Sequence, residues 1–175
     1  MSVDNKPELP QGYSWRDCRG VGASFPVPDG WQSKKVMVVG TVGFAFYERP
    51  DPRHGFLTGL EMNVQLGIDD EVPSLLEIVR INLAGVREQG GFSIVGEPIE
   101  EEDGPFSVVR AFMKSTSLLV HGRLMEPKRC YVEGTVNRNT RKGYLINFHT
   151  PVERWEQDEE TARLMIEKRI LDPNF

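Results

Sequence analysis

The sequence predicts an α+β fold in which two main helices pack on a central antiparallel sheet. Hydrophobic residues alternate with polar ones from Leu60 to Ile68, which is the period of a strand with one buried face. At 75–86 and 162–166 they instead recur at spacings of three and four, the period of an amphipathic helix. The polar, proline-containing residues 1–12 indicate a flexible leader, and residues 13–175 are long enough for a single α+β domain with a full core.

Both helices have recognisable ends in the sequence. The first is predicted near 75–89, because Ser74 and Glu77 form a capping box and a Gly-Gly pair follows the apolar stripe. The second is predicted near 159–170, where carboxylates crowd the start and basic residues lie near the end. That arrangement of charge suits the helix dipole at both termini.

The predicted strands are bounded by turns rich in glycine, proline and charged residues. Residues 21–27 predict a short strand that ends in a Pro-Asp-Gly turn. The segment 34–47 contains Gly40 and Gly43, which leave a hairpin and a bulged strand as alternatives. The acidic segment 97–105 is predicted to be a hairpin tip. Further antiparallel strands are expected at 92–95, 106–113, 118–125, 130–136 and 144–148.

The composition argues against several classes of function. The chain carries 21 Lys and Arg against 26 Asp and Glu, a net charge of −5, which argues against nucleic acid as a partner. Its apolar runs are far shorter than the roughly 20 residues that a membrane-spanning helix requires, so no membrane insertion is expected. The amino-terminal residues show neither the apolar core of a signal peptide nor a lipoprotein-type cysteine, so a cytoplasmic location is expected.

No pattern of residues predicts a catalytic, cofactor or metal site. His54, His121 and His149 are far apart in the sequence, and the acidic segment lacks the spacing of a calcium-binding loop. Cys18 and Cys130 are also far apart, and two free thiols are favoured over a disulfide. The chain has no nucleophile elbow, P-loop or dinucleotide-binding glycine motif. We therefore expect neither an enzyme nor a bound cofactor.

The predicted strands hold more apolar and aromatic residues than two helices can cover. One interpretation is that both faces of the sheet are core, with one helix on each. The other is that part of one face is used for a partner, since exposed apolar patches mark interaction sites. The residues of this candidate partner face are Phe44, Phe46, Met62, Phe112 and Tyr144.

Three segments follow one another in an order that is similar to that of a known superfamily. Residues 25–31 read Phe-Pro-Val-Pro-Asp-Gly-Trp, a helix begins with Ser-Leu-Leu-Glu at 74–77, and residues 144–151 read Tyr-Leu-Ile-Asn-Phe-His-Thr-Pro. Trp155 and a closing helix follow. This order resembles the PsbP/Mog-like (DcrB/Eag-type) superfamily over roughly residues 21–170. The resemblance implies an α/β/α sandwich, with helices packed on a central antiparallel sheet.

The resemblance also implies a function without catalysis. The superfamily includes the extrinsic photosystem II protein, Ran-binding Mog proteins, DcrB-like bacterial lipoproteins and the Eag chaperones of type VI secretion effectors. The leading expectation is a protein-binding, chaperone- or adaptor-like module similar to the Eag type, which contacts another protein through a sheet face or edge. The alternatives are a small-ligand or lipid-binding protein or unassigned enzyme with a sheet–helix pocket, and a PsbP-like photosystem-associated protein. A homodimer also stays open.

Overall fold

A computed structural model describes the chain over residues 6–38, 41–51, 55–66, 77, 79–80, 92–115, 118–120 and 123–175. Within these ranges the fold consists of antiparallel strands and one long helix, which confirms the α+β class with an antiparallel sheet. The first strands are β1 (Tyr13–Cys18), β2 (Ala23–Pro28), β3 (Gln32–Val38), β4 (Thr41–Tyr47), β5 (Pro50–Asp51), β6 (Gly55–Phe56) and β7 (Gly59–Gln65). The later elements are β8 (Phe92–Asp103), β9 (Phe106–Ser115), β10 (Leu118–Val120), β11 (Arg123–Met125), β12 (Lys128–Asn137), β13 (Lys142–Pro151), a 3-10 turn (Val152–Arg154), α1 (Trp155–Glu167) and β14 (Ile170–Leu171).

Seven of the described strands form the main sheet, in the order β3-β4-β7-β13-β12-β9-β8. Each neighbouring pair in this sheet is antiparallel. A second, small sheet has the order β1-β2-β14, and the short pairs β5-β6 and β10-β11 stand apart from both. The main sheet therefore carries most of the described strand residues, and the core lies against its faces.

The first face of the main sheet is covered by α1 and by the small sheet together. Helix α1 buries Trp155, Ala162, Met165 and Ile166, and β2 buries Phe25 against Phe46 of β4, with 5.7 Å between the ring centroids. These side chains meet the alternating apolar residues of the central strands. On β7 and β13 those residues are Leu60, Met62, Val64, Tyr144, Ile146 and Phe148.

The opposite face is covered in part by a helical segment that the structure describes only at Glu77, Val79 and Arg80. Val79 is buried and packs in one cluster with Val109 and Ala111 of β9. Because alternate residues of a strand point to opposite faces, these side chains lie on the face away from α1. The rest of the helix predicted near 75–89 lies outside the described residues.

A buried polar junction fixes the start of α1 against the sheet. Asp158 lies in the first turns of the helix, and its Oδ2 accepts hydrogen bonds from the hydroxyls of Thr150 on β13 and Thr58 before β7. The two hydroxyls also lie 2.9 Å from each other. Arg154 adds a contact of 3.2 Å from Nη2 to Oδ1 of the same carboxylate, and pairs with Glu48 at 2.7 Å. Each of these buried polar groups thus has a partner, as burial requires.

Several sequence predictions are confirmed and others need correction. Residues 60–65 of the alternating segment lie in strand β7, and residues 67–68 lie outside the described residues. The segment 34–47 is a hairpin of β3 and β4, not a bulged strand. The segment 118–125 is two short paired strands instead of one. The acidic segment 97–105 forms the predicted hairpin tip only at Gly104-Pro105, because β8 continues through Asp103 before the chain reverses. Helix α1 spans Trp155–Glu167, earlier than predicted, because the 3-10 turn leads directly into it.

Candidate protein-binding surface

The five residues predicted to form a partner face all lie on the face of the main sheet that α1 covers. Strand register places Phe44 opposite Met62, and Phe112 and Tyr144 follow the same alternation. Phe46, Met62 and Tyr144 are fully buried in the core. Phe44 and Phe112 are half-buried and pack against that core. In this structure Phe44 and Phe112 are therefore the two that present surface, and the binding role of all five stays a prediction.

Phe112 lies at the margin of the core, where α1 passes over β9. Its ring stacks on Tyr131 of β12 with 4.2 Å between centroids, and it meets the edge of Trp155 at 5.9 Å. The guanidinium carbon of Arg163 lies 4.7 Å from the Phe112 centroid, which is within cation–π range. Phe112 thus forms the boundary between the covered part of the face and the part beyond α1.

Two apolar side chains of β8 lie beyond this boundary. Val95 is directly opposite Phe112 and Ile99 is directly opposite Arg110, so both project from the same face as Phe112. Val95 is 38% exposed and Ile99 is 47% exposed. We call Val95, Ile99, Glu101, Asp103 and Phe112 the β8 edge surface. It combines exposed apolar groups with the outermost strand of the sheet.

The backbone of β8 is open along one side within the described part of the chain. Among the described strands, β9 is the one neighbour of β8, which ends the sheet. Between Val95 and Ile99 the register with β9 shifts, and Gly96 there adopts a positive φ of 80°. An edge strand presents unpaired N–H and C=O groups that another chain can meet. This property distinguishes β8 from the central strands.

A buried ion network lies under the β8 edge surface. The carboxylate of Glu133 is fully buried and contacts Arg169 Nη2 at 2.6 Å and Arg110 Nε at 3.2 Å. Arg110 also pairs with Glu101 at 2.5 Å. Glu101 is 42% exposed, whereas Arg110 and Arg169 are only 14% and 5% exposed. The guanidinium groups are therefore inside and the carboxylate of Glu101 faces the solvent.

Two opposing effects act on Glu133. Burial acts to raise the pKa of its carboxyl group, whereas the charges of Arg169 and Arg110 act to lower the pKa. Thr135 also donates a hydrogen bond to Glu133 at 2.9 Å. Burial likewise raises the pKa of Tyr131 to about 12. The network links the end of α1 to β12 and β9, and so supports the strand that carries Phe112.

The carboxylates on the opposite side of β8 are paired. Glu100 forms two hydrogen bonds with the guanidinium of Arg80, at 2.7 and 3.2 Å. Glu102 pairs with Arg138 and accepts a hydrogen bond from Ser107 at 3.0 Å. On the face away from α1, each of these two carboxylates is therefore paired with an arginine. Strand β8 therefore has one face on which both carboxylates pair with exposed arginines and, at Glu101 and Asp103, a face on which the one described cation partner, Arg110, is largely buried.

Among the residues of this surface, only Phe112 is predicted from the sequence to bind a partner. The sequence predicts Val95 at the end of a short strand, and Ile99 and Glu101 in a turn. The available signal was the alternation of Ile99, Glu101 and Asp103 with Glu100 and Glu102, which continues the strand period. The high charge density of the segment masked that period, because charged clusters are typical of turns.

The described residues show no arrangement that would support metal or thiol chemistry. Within them, no group of three or more His, Cys, Asp or Glu residues could hold a metal ion. His149 lies in β13, whereas His54 and His121 lie outside the described residues. Cys18 and Cys130 are free and buried, and burial raises their pKa values to about 12 and about 11. No described helix is both long and apolar enough to cross a bilayer.

Comparison with known proteins identifies the fold. No protein-family model and no curated protein matches the sequence. Among solved structures, cyanobacterial PsbP (CyanoP) from Synechocystis sp. PCC 6803 is 13% identical with a TM-score of 0.60, over 97% of this chain and 99% of that one. LpqN of Mycobacterium tuberculosis, described as involved in cell envelope biogenesis, is 14% identical with a TM-score of 0.56, over 92% and 91%. The Saccharomyces cerevisiae Ran-binding protein Mog1p is 10% identical with a TM-score of 0.53, over 91% and 95%.

These similarities place the chain in the PsbP/Mog-like fold, as the sequence resemblance predicted. The identities are low, so they establish the fold and carry no residue roles. Proteins with different tasks share this fold, and function must be argued from the surface of this chain.

Proposed function

We propose that this protein is a non-catalytic binding module that contacts a partner protein through the β8 edge surface. The observation that supports the proposal is the exposure of Val95 and Ile99 beside a strand with an open edge. Exposed apolar groups favour association because contact removes them from water. An open edge strand adds backbone hydrogen-bonding groups that fix the orientation of a partner.

The fold also bears on the role of the module and on its layers. A chaperone- or adaptor-like role follows the pattern of Mog1p, which is described as binding Ran. The similarity to CyanoP concerns the fold alone, so a photosystem-associated role has no additional support. The contact of Val79 with β9 supports a helical layer on the second face and hence an α/β/α sandwich.

Site-specific photocrosslinking tests the proposal. A photoreactive phenylalanine analogue at position 99 should give a discrete protein adduct in cells of the native organism. The same analogue at position 34 should not, because Lys34 is exposed on β3, at the other end of the sheet. Equal adducts from both positions, or none from position 99, would refute the proposed surface.

A competition experiment separates specific binding from adhesion of any exposed apolar group. Unlabelled wild-type protein should suppress the adduct at position 99, and the Ile99→Asp variant should not. Leu66 is 50% exposed and lies at the end of β7, so Leu66→Asp is the matched control and should compete like the wild type. Loss of competition in both variants would indicate general stickiness and would contradict the proposal.

A further inference from the structure

We infer that the partner segment is an extended, basic strand that pairs with β8 at residues 99–103 and places apolar side chains next to Val95 and Ile99. This inference rests on the proposed function and names the chemistry of its partner. Three features of the chain support it: the direction of the free backbone groups, the limits of the open ladder, and the sign of the exposed charge.

The hairpin between β8 and β9 determines which backbone groups are free. Asp103 pairs with Phe106 across a two-residue Gly104-Pro105 loop, in which Gly104 has φ +56°. A two-residue hairpin loop closes on a hydrogen-bonded pair, and such pairs alternate along an antiparallel ladder. Asp103 is thus bonded to β9, whereas Glu102 and Glu100 direct their N–H and C=O groups away from the sheet. These groups are what an added strand would bind.

The ladder available to an added strand is short and has defined ends. On one side it stops at the turn after Asp103. On the other side it stops at the register shift after Val95, which contains Pro98. Proline has no N–H to donate, so an added strand cannot continue through it. The open ladder is therefore the five residues 99–103, and a peptide of seven residues is long enough to cover it.

The exposed charge selects a basic segment. On the face that carries Ile99, the exposed charges of residues 99–103 are the carboxylates of Asp103 and of Glu101, which also pairs with the largely buried Arg110. The exposed cations of this face, Lys114 and Arg163, lie toward Phe112 instead. An acidic strand would meet like charge at residues 99–103. The other edge of the sheet differs, since β3 exposes Lys34 and Lys35. A basic strand is therefore attracted to the carboxylates of β8 and repelled by the lysines of β3. Two copies of β8 repel each other because their carboxylates carry the same charge.

A binding assay with synthetic peptides tests this inference directly. The probe is a fluorescein-labelled, amidated heptapeptide of alternating Lys and Val, titrated with the protein and followed by fluorescence anisotropy. We expect saturable binding, and binding at least tenfold weaker for the Glu-Val counterpart. Methylation of alternate backbone nitrogens keeps charge and side chains but removes hydrogen-bond donors along one edge, so it should also weaken binding at least tenfold. Heptalysine should bind at least tenfold more weakly.

Protein variants locate the binding site of the same probe. Ile99→Asp should weaken binding at least tenfold, and Leu66→Asp and Lys34→Glu should leave it unchanged. Retained far-UV circular dichroism shows that each variant is folded. Equal affinity for the methylated peptide, equal affinity for heptalysine, or no effect of Ile99→Asp would each overturn the inference. A dimer in analytical ultracentrifugation that Ile99→Asp abolishes would also overturn it, because a second copy would then be the occupant.

The two proposals fail in distinguishable ways. If position 99 crosslinks a specific protein but the Lys-Val peptide does not bind, the binding surface stands and the strand chemistry is wrong. If position 99 gives no adduct and the peptide does not bind, both proposals are wrong.

Discussion

Replacing Glu133 by Gln should destabilise the protein more than any exposed substitution, because it removes the one carboxylate that faces two buried guanidinium groups. Arg169 is 5% exposed and lies 2.6 Å from that carboxylate. The Nη1 of Arg169 donates to the backbone carbonyl of Ile166, and among the described residues no second carboxylate contacts Arg169. Arg110 keeps Glu101 as a partner at 2.5 Å. Breaking a buried ion pair from one side costs about 3–5 kcal/mol. We expect about 3 kcal/mol, because the Gln side chain still accepts one hydrogen bond.

The paired substitution gives the decisive comparison. Arg169→Met alone should also cost about 3 kcal/mol, since it leaves Glu133 with Arg110 at 3.2 Å as its remaining cation. Glu133→Gln combined with Arg169→Met removes both buried charges and should cost at least about 1 kcal/mol less than the two single changes together. Arg80→Met is the control, because its ion pair with Glu100 is exposed and exposed ion pairs contribute little.

Urea unfolding followed by tryptophan fluorescence measures these free energies, with equal m-values as the test that the variants unfold in the same way. The reasoning would be refuted if Glu133→Gln cost less than about 1 kcal/mol, or if the two single costs added to within about 0.5 kcal/mol in the double variant. Either result would mean that the network does not act as a coupled buried unit.

Three further substitutions probe the supporting structure. Asp158→Ala should cost about 2 kcal/mol in urea unfolding, because two buried threonine hydroxyls lose their shared acceptor. Gly22→Ala should lower the melting temperature more than Gly20→Ala, although both glycines have a positive φ. A Cβ at Gly22 would lie 2.5 Å from the Cβ of Phe175, whereas no atom lies within 4 Å of a Cβ at Gly20. Hydrogen bonds from Lys6 and Ser24 lower the pKa of Asp17 in the folded protein. Its small contribution to the free energy of unfolding is therefore present above pH 3.8 and is lost as the pH falls through the lower folded pKa. Asp17→Asn should flatten this part of a curve of unfolding free energy against pH.

The sequence was most informative where one periodicity extended over a complete element. Strand β7 follows from the alternation at 60–66, and the buried stripe of α1 follows from Ala162, Met165 and Ile166. The hairpin of β3 and β4 was one of two alternatives that the glycines allowed. In each of these places local pattern and tertiary burial agree, and the pattern was therefore sufficient.

The sequence was less informative where tertiary contacts overrode local composition. Strand β1 at Tyr13–Cys18 has few buried residues and became evident only through its pairing with β2. From the sequence, the charged side chain of Glu133 in β12 is expected to be exposed. It is buried instead, because it pairs with Arg110 and Arg169, which are distant in the sequence. Pairwise charge compensation between distant segments leaves no periodic signal, so it cannot be found from one sequence alone.

The surplus of apolar strand residues has a physical explanation that bears on the binding surface. The prediction of an open face counted two helices as the available cover, and it did not include the small sheet β1-β2-β14. That sheet buries Phe46 and Tyr144, through Phe25 of β2 and a hydrogen bond from the Tyr144 hydroxyl to the carbonyl of Val21. Among the described residues, the cover from α1 extends as far as Phe112 on β9, which Trp155 and Arg163 contact. Val95 lies one strand farther out, so the uncovered apolar surface is at the edge of the sheet and not at its centre. A partner that binds there can add to the sheet without displacing any part of the core.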